Sequence, residues 1–274
     1  MTYEAIEAAA AAIVEATGRA EHQVAAVLGS GLSDYAASLP GAVAVPYDEI
    51  PGFPVPAVAG HAGTLYSAEM DGVAVLVFAG RVHAYEGWDM SDVVFGARSA
   101  VMCGAGTVLL TNAAGGVGDG LAAGDLVLIR DHLNLAGRNP LFGPNDERLG
   151  PRFPDQTDVY QQELRDLARQ TGDEVDVDLA EGVYAWFLGP TYETPAEVEM
   201  ARRMGAHLVG MSTVPEAIAV RHMGGRLVGI SLVTNLAAGI SPTPLSHDEV
   251  KEAGVAAQAK FSRLLDALLP RLAA

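Results

Sequence analysis

Lysine is almost missing from this chain of 274 residues: Lys251 and Lys260 are the only two. A P-loop, a protein kinase site and a pyridoxal Schiff base each need a lysine inside a motif, and no such motif occurs. Cysteine is rarer still. Cys103 stands alone, which excludes an internal disulfide and a thiolate metal cluster. Positive charge is scarce as a whole: 17 Lys and Arg face 34 Asp and Glu, a formal net charge of −17. Nucleic-acid backbones and anionic membranes reward clustered Lys and Arg, so neither is an expected partner, and an anionic substrate needs a local cationic pocket. No apolar run reaches membrane-spanning length. Met1 to Gly18 is an alanine-rich helix pattern carrying Glu4 and Glu7 where a signal peptide has a basic start, so the expected location is the cytoplasm.

Two familiar catalytic signatures are also missing. Ser212, Ser231 and Ser241 each follow a Gly-x pair, but none is completed to the Gly-x-Ser-x-Gly elbow of a serine hydrolase. His22, His61, His83, His132, His207, His222 and His247 show no paired spacing of the zinc-binding type, so no metal is expected.

What is present is a core-forming chain, half of it hydrophobic. The length suits one large core and is short for two α/β domains, so 1–274 reads as a single domain with an N-terminal helix over 1–20. Short apolar runs (Val24 to Leu28, Val73 to Ala79, Thr107 to Thr111, Leu126 to Ile129, Val183 to Leu188, Leu227 to Val233) alternate with helical patterns over Val159 to Gln170, Ala196 to Met204, Pro215 to Met223 and Ser246 to Leu269. That alternation predicts an α/β fold, a twisted, mostly parallel or mixed sheet flanked by helices. Ligand sites then belong at the C-terminal ends of strands.

Those ends carry polar clusters. After Ala79 comes Gly80-Arg81-Val82-His83-Ala84-Tyr85-Glu86-Gly87, where a cation, an imidazole and a phenol alternate and an extended segment turns all three to one face. The cluster reads two ways, as an oxyanion-binding face or as a solvated loop with a salt bridge to Glu86. After Leu28 comes Gly29-Ser30-Gly31-Leu32, either a tight turn or a place where backbone N–H groups and a helix start near Leu32 approach an anion. It is no dinucleotide fingerprint, because Asp34 stands where the third glycine belongs. Glu193, before Pro195, reads as a helix cap or as a site carboxylate, and Met211 as core or as a site wall. Asn235 offers both a donor and an acceptor to a heterocycle.

Taken together, Gly29 to Leu32, Gly60-His61-Ala62-Gly63, Gly80 to Gly87, Thr111-Asn112-Ala113-Ala114-Gly115-Gly116, Gly150 through Tyr160, Gly189 through Thr194, Gly210 through Glu216, and Thr234-Asn235 follow the order found in the purine nucleoside phosphorylases. The chain resembles the trimeric, 6-oxopurine-specific branch of that family over roughly Val24 to Val250. The resemblance implies reversible phosphorolysis of inosine, guanosine and their 2′-deoxy forms, with inorganic phosphate as co-substrate and no cofactor, in a homotrimer. It implies a phosphate set of Ser30, Arg81, His83, the Ala113 backbone N–H and Ser212, with His61 close by. Tyr85, Met211 and His247 match the ribose contacts, the last at the 5′-hydroxyl. Glu193 and Asn235 match the purine readers, with Thr234, Tyr184 and Tyr192 beside them, and Phe153 matches an aromatic residue supplied by a neighbouring subunit. Asn235, Glu193 and His83 are the implied catalytic residues, His83 either as a base or as a phosphate ligand.

Three other functions compete. Methylthioadenosine phosphorylase is the nearest, but it carries acidic residues in the region of Asn235 and an apolar one where His247 stands. A non-catalytic anion-binding α/β module gives no reason for Glu193, Asn235 and His247 to occur together. Nucleoside hydrolysis leaves the anion-binding residues idle and lacks an Asp cluster for a metal. Two departures from the family stand out, Ser33-Asp34 in the glycine turn and the stretch from Leu236 to Pro244 before His247.

Overall fold

The computed structural model describes residues 2–58, 61–241 and 247–273, with the side chains of 247–251 and 254 excepted. The first half runs α1 (Tyr3–Thr17), β1 (Val24–Val27), α2 (Ser33–Ser38), β2 (Val43–Pro46), β3 (Thr64–Met70), β4 (Val73–Ala79), α3 (Met90–Val93), α4 (Phe95–Met102) and β5 (Thr107–Gly116). The second half runs β6 (Leu126–Asn134), α5 (Gln162–Glu174), β7 (Leu179–Trp186), α6 (Pro195–Arg203), β8 (Leu208–Gly210), α7 (Val214–His222), β9 (Arg226–Leu236) and α8 (His247–Leu268). No described helix is long and apolar enough to cross a membrane.

Strands β4, β1, β5 and β9 are neighbours and all parallel. Their apolar runs are buried on both faces, as parallel strands covered by helices must be. Alternate residues serve different cores: Ala25, Val27, Leu76 and Phe78 pack with α1, α4 and α7, whereas Val24, Ala26, Val75 and Val77 pack with α2, α5 and α8. In α1 the inward residues Ile6, Ala9, Ala10 and Ile13 follow helical spacing. Thr2 caps its start by accepting from the Ala5 N–H at 3.3 Å, and Gly18 ends it with φ of 67°.

The sheet is mixed, and part of it closes. Its order is β2-β3-β4-β1-β5-β8-β7-β6-β9, and β9 pairs back onto β5. The five strands from β5 to β9 therefore form a small closed ring, joined antiparallel at β5–β8 and β6–β9. Closure needs bends, and β5 and β6 shift register at Ala114/Gly115 and Ile129/Asp131.

Element bounds differ from the sequence expectation where polar residues continue a strand. The Thr107 to Thr111 run extends through Gly116, and the Val183 to Leu188 run sits earlier, at Leu179–Trp186. The helix expected over Val159 to Gln170 occupies Gln162–Glu174. Strands β2, β3 and β8 and helices α3 and α4 lie outside the predicted set. For β3 a signal was present: Asp71-Gly72 adopts φ of 50° and 80° and joins β3 to β4 as a tight hairpin.

The core also holds a titratable group. His22 is fully buried, its Nε2 lies 2.8 Å from Ser67 Oγ, and burial lowers its pKa to about 4, with Arg19 adding to the effect. His132 and His222 are lowered in the same direction, chiefly by burial. The unfolded chain therefore binds more protons than the folded one between about pH 6.5 and 4, and stability falls as pH drops through that window. Tm measured against pH is expected to decline there, and His22→Gln to flatten the decline; an unchanged slope in the variant would remove His22 as a cause.

Candidate active site

The ends of β1, β4, β5, β8 and β9 and the turn before α6 surround one cleft. Ser30, His61, Arg81, His83, Tyr85, Ala113, Tyr192, Glu193, Met211, Ser212, Thr234 and Asn235 all line it. These residues come from distant parts of the sequence, and the parallel topology brings their strand ends together.

The Arg81-His83-Tyr85 stripe is buried at its start and faces the cleft throughout. It is not extended along its whole length, because Ala84–Glu86 form a single 3-10 turn. Gly80 makes its entry possible. Its φ is 109°, and a Cβ there would stand 2.5 Å from His61 Cβ, so only glycine lets His61 come so close.

Arg81 is 6 % exposed and largely committed to the protein. Its Nε donates to Glu216 Oε1 at 3.0 Å, Nη1 to Thr111 O at 2.7 Å and Nη2 to Val27 O at 3.1 Å. A guanidinium has five N–H groups; Nη1 also donates to Ser212 Oγ at 3.5 Å, so one N–H, on Nη2, remains for an incoming anion. The salt bridge to Glu86 considered for this loop does not form with Arg81; Glu86 belongs to His83. Its Oε1 accepts from the His83 N–H at 2.7 Å and lies 3.1 Å from His83 Nδ1, and Oε2 accepts from the Ala57 N–H at 3.1 Å. Burial opposes the charge on Glu86, yet these hydrogen bonds outweigh it and hold the carboxyl below the usual range. With Nδ1–H donating to Glu86, His83 turns Nε2 away from that carboxylate.

A second histidine is fixed in the same way. His61 Nδ1 accepts from the Arg81 N–H at 3.2 Å, so neutral His61 carries its proton on Nε2, which lies 3.2 Å from Ser30 Oγ. Ser30 accepts there and its own O–H is left to donate to an anion. Ser212, which accepts from Arg81 Nη1, follows β8. The His83 and Tyr85 rings stack at 4.7 Å, and burial, then the Glu86 charge, raises the Tyr85 pKa to about 12, so the phenol keeps its proton.

Glu193 is no cap. Thr194 and Glu197 form the capping box of α6, with Thr194 Oγ1 accepting from the Glu197 N–H at 3.2 Å and Glu197 Oε2 accepting from the Thr194 N–H at 2.7 Å. Glu193 is 7 % exposed, its Oε1 has no hydrogen-bond partner among the described residues, and burial raises its pKa. Such an oxygen is open to a donor from a ligand or from water. Asn235 has its amide oriented: Oδ1 accepts from Thr234 Oγ1 at 2.9 Å and Nδ2 donates to Leu236 O at 3.0 Å. One lone pair and one N–H stay available.

Met211 is a cleft wall as well as a packed side chain. A Cβ on Gly189, whose φ is 72°, would lie 2.5 Å from Met211 Sδ. Tyr184 is the correction. It is fully buried and absent from the cleft lining; its hydroxyl accepts from the Ser212 N–H at 3.3 Å, so it supports the turn after β8 from behind. Gly210 is required beneath it, since a Cβ there would come within 2.2 Å of the Tyr184 hydroxyl. Phe153 is 88 % exposed, away from the cleft, beside the equally exposed Phe142 in a surface depression. The His247 side chain lies outside the described residues.

Glu216 went unread in the sequence, where Thr213-Val214-Pro215-Glu216 signals only a helix start. Nothing local reveals that its second oxygen reaches Arg81.

The arrangement gathers the Ser30, Arg81 and Ser212 donors with a carboxylate and an amide in one cleft, side chains chemically able to take an oxyanion and a heterocycle. The family model of the phosphorylase superfamily matches residues 11–270. A purine nucleoside phosphorylase of Cellulomonas is 52 % identical over 264 residues, covering 94 % of this chain and 90 % of that protein. That of Mycobacterium tuberculosis is 50 % identical over 264 residues, covering 96 % and 94 %. Among solved structures, a Schistosoma purine nucleoside phosphorylase in complex with guanosine superimposes with a TM-score of 0.90 at 34 % identity, covering 97 % of this chain and 96 % of that one.

Proposed function

Because this chain belongs to the phosphorylase superfamily, and within it to the 6-oxopurine branch of the purine nucleoside phosphorylases, we infer that it catalyses the reversible phosphorolysis of purine nucleosides to free base and ribose 1-phosphate. The observation that carries the reading is the pairing, in one cleft, of the Ser30, Arg81 and Ser212 donors with the buried, partner-seeking Glu193 and the oriented Asn235.

Cleaving the glycosidic bond builds positive charge on the ribosyl ring and negative charge on the leaving purine. In this reading phosphate is both nucleophile and counter-charge. The remaining Arg81 N–H, the Ser30 and Ser212 hydroxyls and the Ala113 backbone N–H hold it near C1′, with His61 directing the Ser30 proton, so positioning supplies much of the rate. His83, backed by Glu86, faces phosphate through Nε2. Tyr85 and Met211 flank the ribose, and His247 is assigned to its 5′ end. On the base, Asn235 accepts from N7–H and donates to O6, while Glu193 accepts from N1–H. Thr234 and Tyr192 complete the base pocket.

Inosine, guanosine and their 2′-deoxy forms fit this set better than adenosine, which has no N1 proton and carries an amine at position 6. Phe153 is assigned to a neighbouring subunit's cleft in a homotrimer, and its exposure beside Phe142 supports that assembly. The cytoplasm suits a salvage enzyme of this kind.

Inosine cleavage with and without phosphate tests the reaction. Hypoxanthine release is expected to depend on phosphate and to yield ribose 1-phosphate. Equal release in its absence would replace phosphorolysis by hydrolysis.

A further inference from the structure

We infer that Glu216 is a positioning residue for the phosphate nucleophile, a single buried carboxylate that fixes two phosphate ligands, Arg81 and Ser212, arriving from different strands. The inference rests on the phosphorolytic reading above. Glu216 Oε1 accepts from Arg81 Nε at 3.0 Å, and both side chains are 4 % exposed. Its Oε2 accepts from the Thr213 N–H at 3.1 Å.

Thr213 is where this second contact matters. Its φ of 72° and ψ of −49° lie in the region a β-branched residue avoids, and the Val214 N–H donates to Ser212 O at 2.7 Å across it. That is a tight γ-turn, rare because it is strained. Such a conformation persists only where its surroundings over-determine it, and strain of this kind clusters at ligand sites. Here the Thr213 N–H is tied to Glu216, and Thr213 Oγ1 accepts from Asn112 Nδ2 at 2.9 Å and lies 3.0 Å from Ser212 Oγ. The turn aims Ser212, and Glu216 ties it to the Arg81 guanidinium.

The same chain contains a control. Thr194 and Glu197 open α6 with the same capping box, but Glu197 is exposed, and its Oε2 takes both the N–H and the hydroxyl of Thr194. The hydrogen bonds of Glu197 to the described residues are those of a cap. Glu216 performs that work from a buried position while its other oxygen holds Arg81. The pairing also offsets the Arg81 charge, so phosphate meets oriented donors in place of a free buried cation, which suits a reactant that must leave its ligands to form a bond.

The test compares Glu216→Gln and Glu197→Gln by phosphate and inosine saturation kinetics, with Tm measured for each. A glutamine at 216 has one oxygen for two donors, so phosphate KM is expected to rise at least tenfold while inosine KM stays within twofold. Glu197→Gln is expected to leave phosphate KM within twofold. The inference is overturned by a folded Glu216→Gln with phosphate KM within twofold of wild type, or by an equal rise in Glu197→Gln. Should Glu216→Gln not fold, Glu216→Asp keeps the charge but draws it back from one partner, and it is held to the same two outcomes. Wild type assayed in parallel without phosphate keeps a failure of the phosphorolytic reading distinct from a failure of this one.

Discussion

Asn235→Asp is expected to lower kcat/KM for inosine by about two to three orders of magnitude while reducing that for adenosine far less. The wild-type amide is already oriented, with Oδ1 accepting from Thr234 Oγ1 and Nδ2 donating to Leu236 O. In the proposed reaction its remaining lone pair takes the proton on N7 and its remaining N–H takes O6. A carboxylate at this position keeps the acceptor and loses the donor. It also sets a negative charge beside a base that becomes negative as the glycosidic bond breaks, so the loss falls on the transition state. Adenosine presents an amine at position 6, which an aspartate accepts. The kcat/KM ratio of the two nucleosides is therefore the measurement, and an unchanged ratio would contradict the role given to Asn235.

Arg81→Met is expected to have two separable effects. Turnover falls by about a thousandfold or more, because a preorganised donor to the nucleophile is lost. Stability falls as well, by about 3–5 kcal/mol, since Glu216 is left as an unpaired buried charge. The double variant Arg81→Met with Glu216→Gln removes both charges and keeps an acceptor for the Thr213 N–H. Its Tm is expected to recover most of the loss while its turnover does not. A double variant as unstable as Arg81→Met alone would show that the buried pair is not the source of the destabilisation.

Much of this site was readable before any coordinates. Apolar runs followed by glycine and polar residues marked the strand ends, because a buried strand needs continuous apolar side chains and its exit must turn within a few residues. Ser30, Arg81, His83 and Asn235 each stood at such an exit. The misreadings share a cause. Tyr184 was assigned to the base pocket, yet the strand carrying it turns that side chain inward behind Gly210, and its neighbours in sequence do not reveal which face is the core. Short strands β2 and β8 carry too few residues to show a period. Glu86 was read only as a salt-bridge partner for its own loop and Glu216 was given no role, and only their distances show that one belongs to His83 and the other to Arg81.

The sequence by itself determined the α/β class, the scarcity of lysine and the residue types able to hold an oxyanion and a purine, since composition and local periodicity are properties of neighbouring residues. Tertiary structure decided the closure of β5 through β9 into a ring, the burial of a Glu193 Oε1 with no hydrogen-bond partner among the described residues, and the pairing of Arg81 with a glutamate 135 residues away. These depend on how distant segments are brought together and on how much water is removed when they meet. Both are consequences of packing.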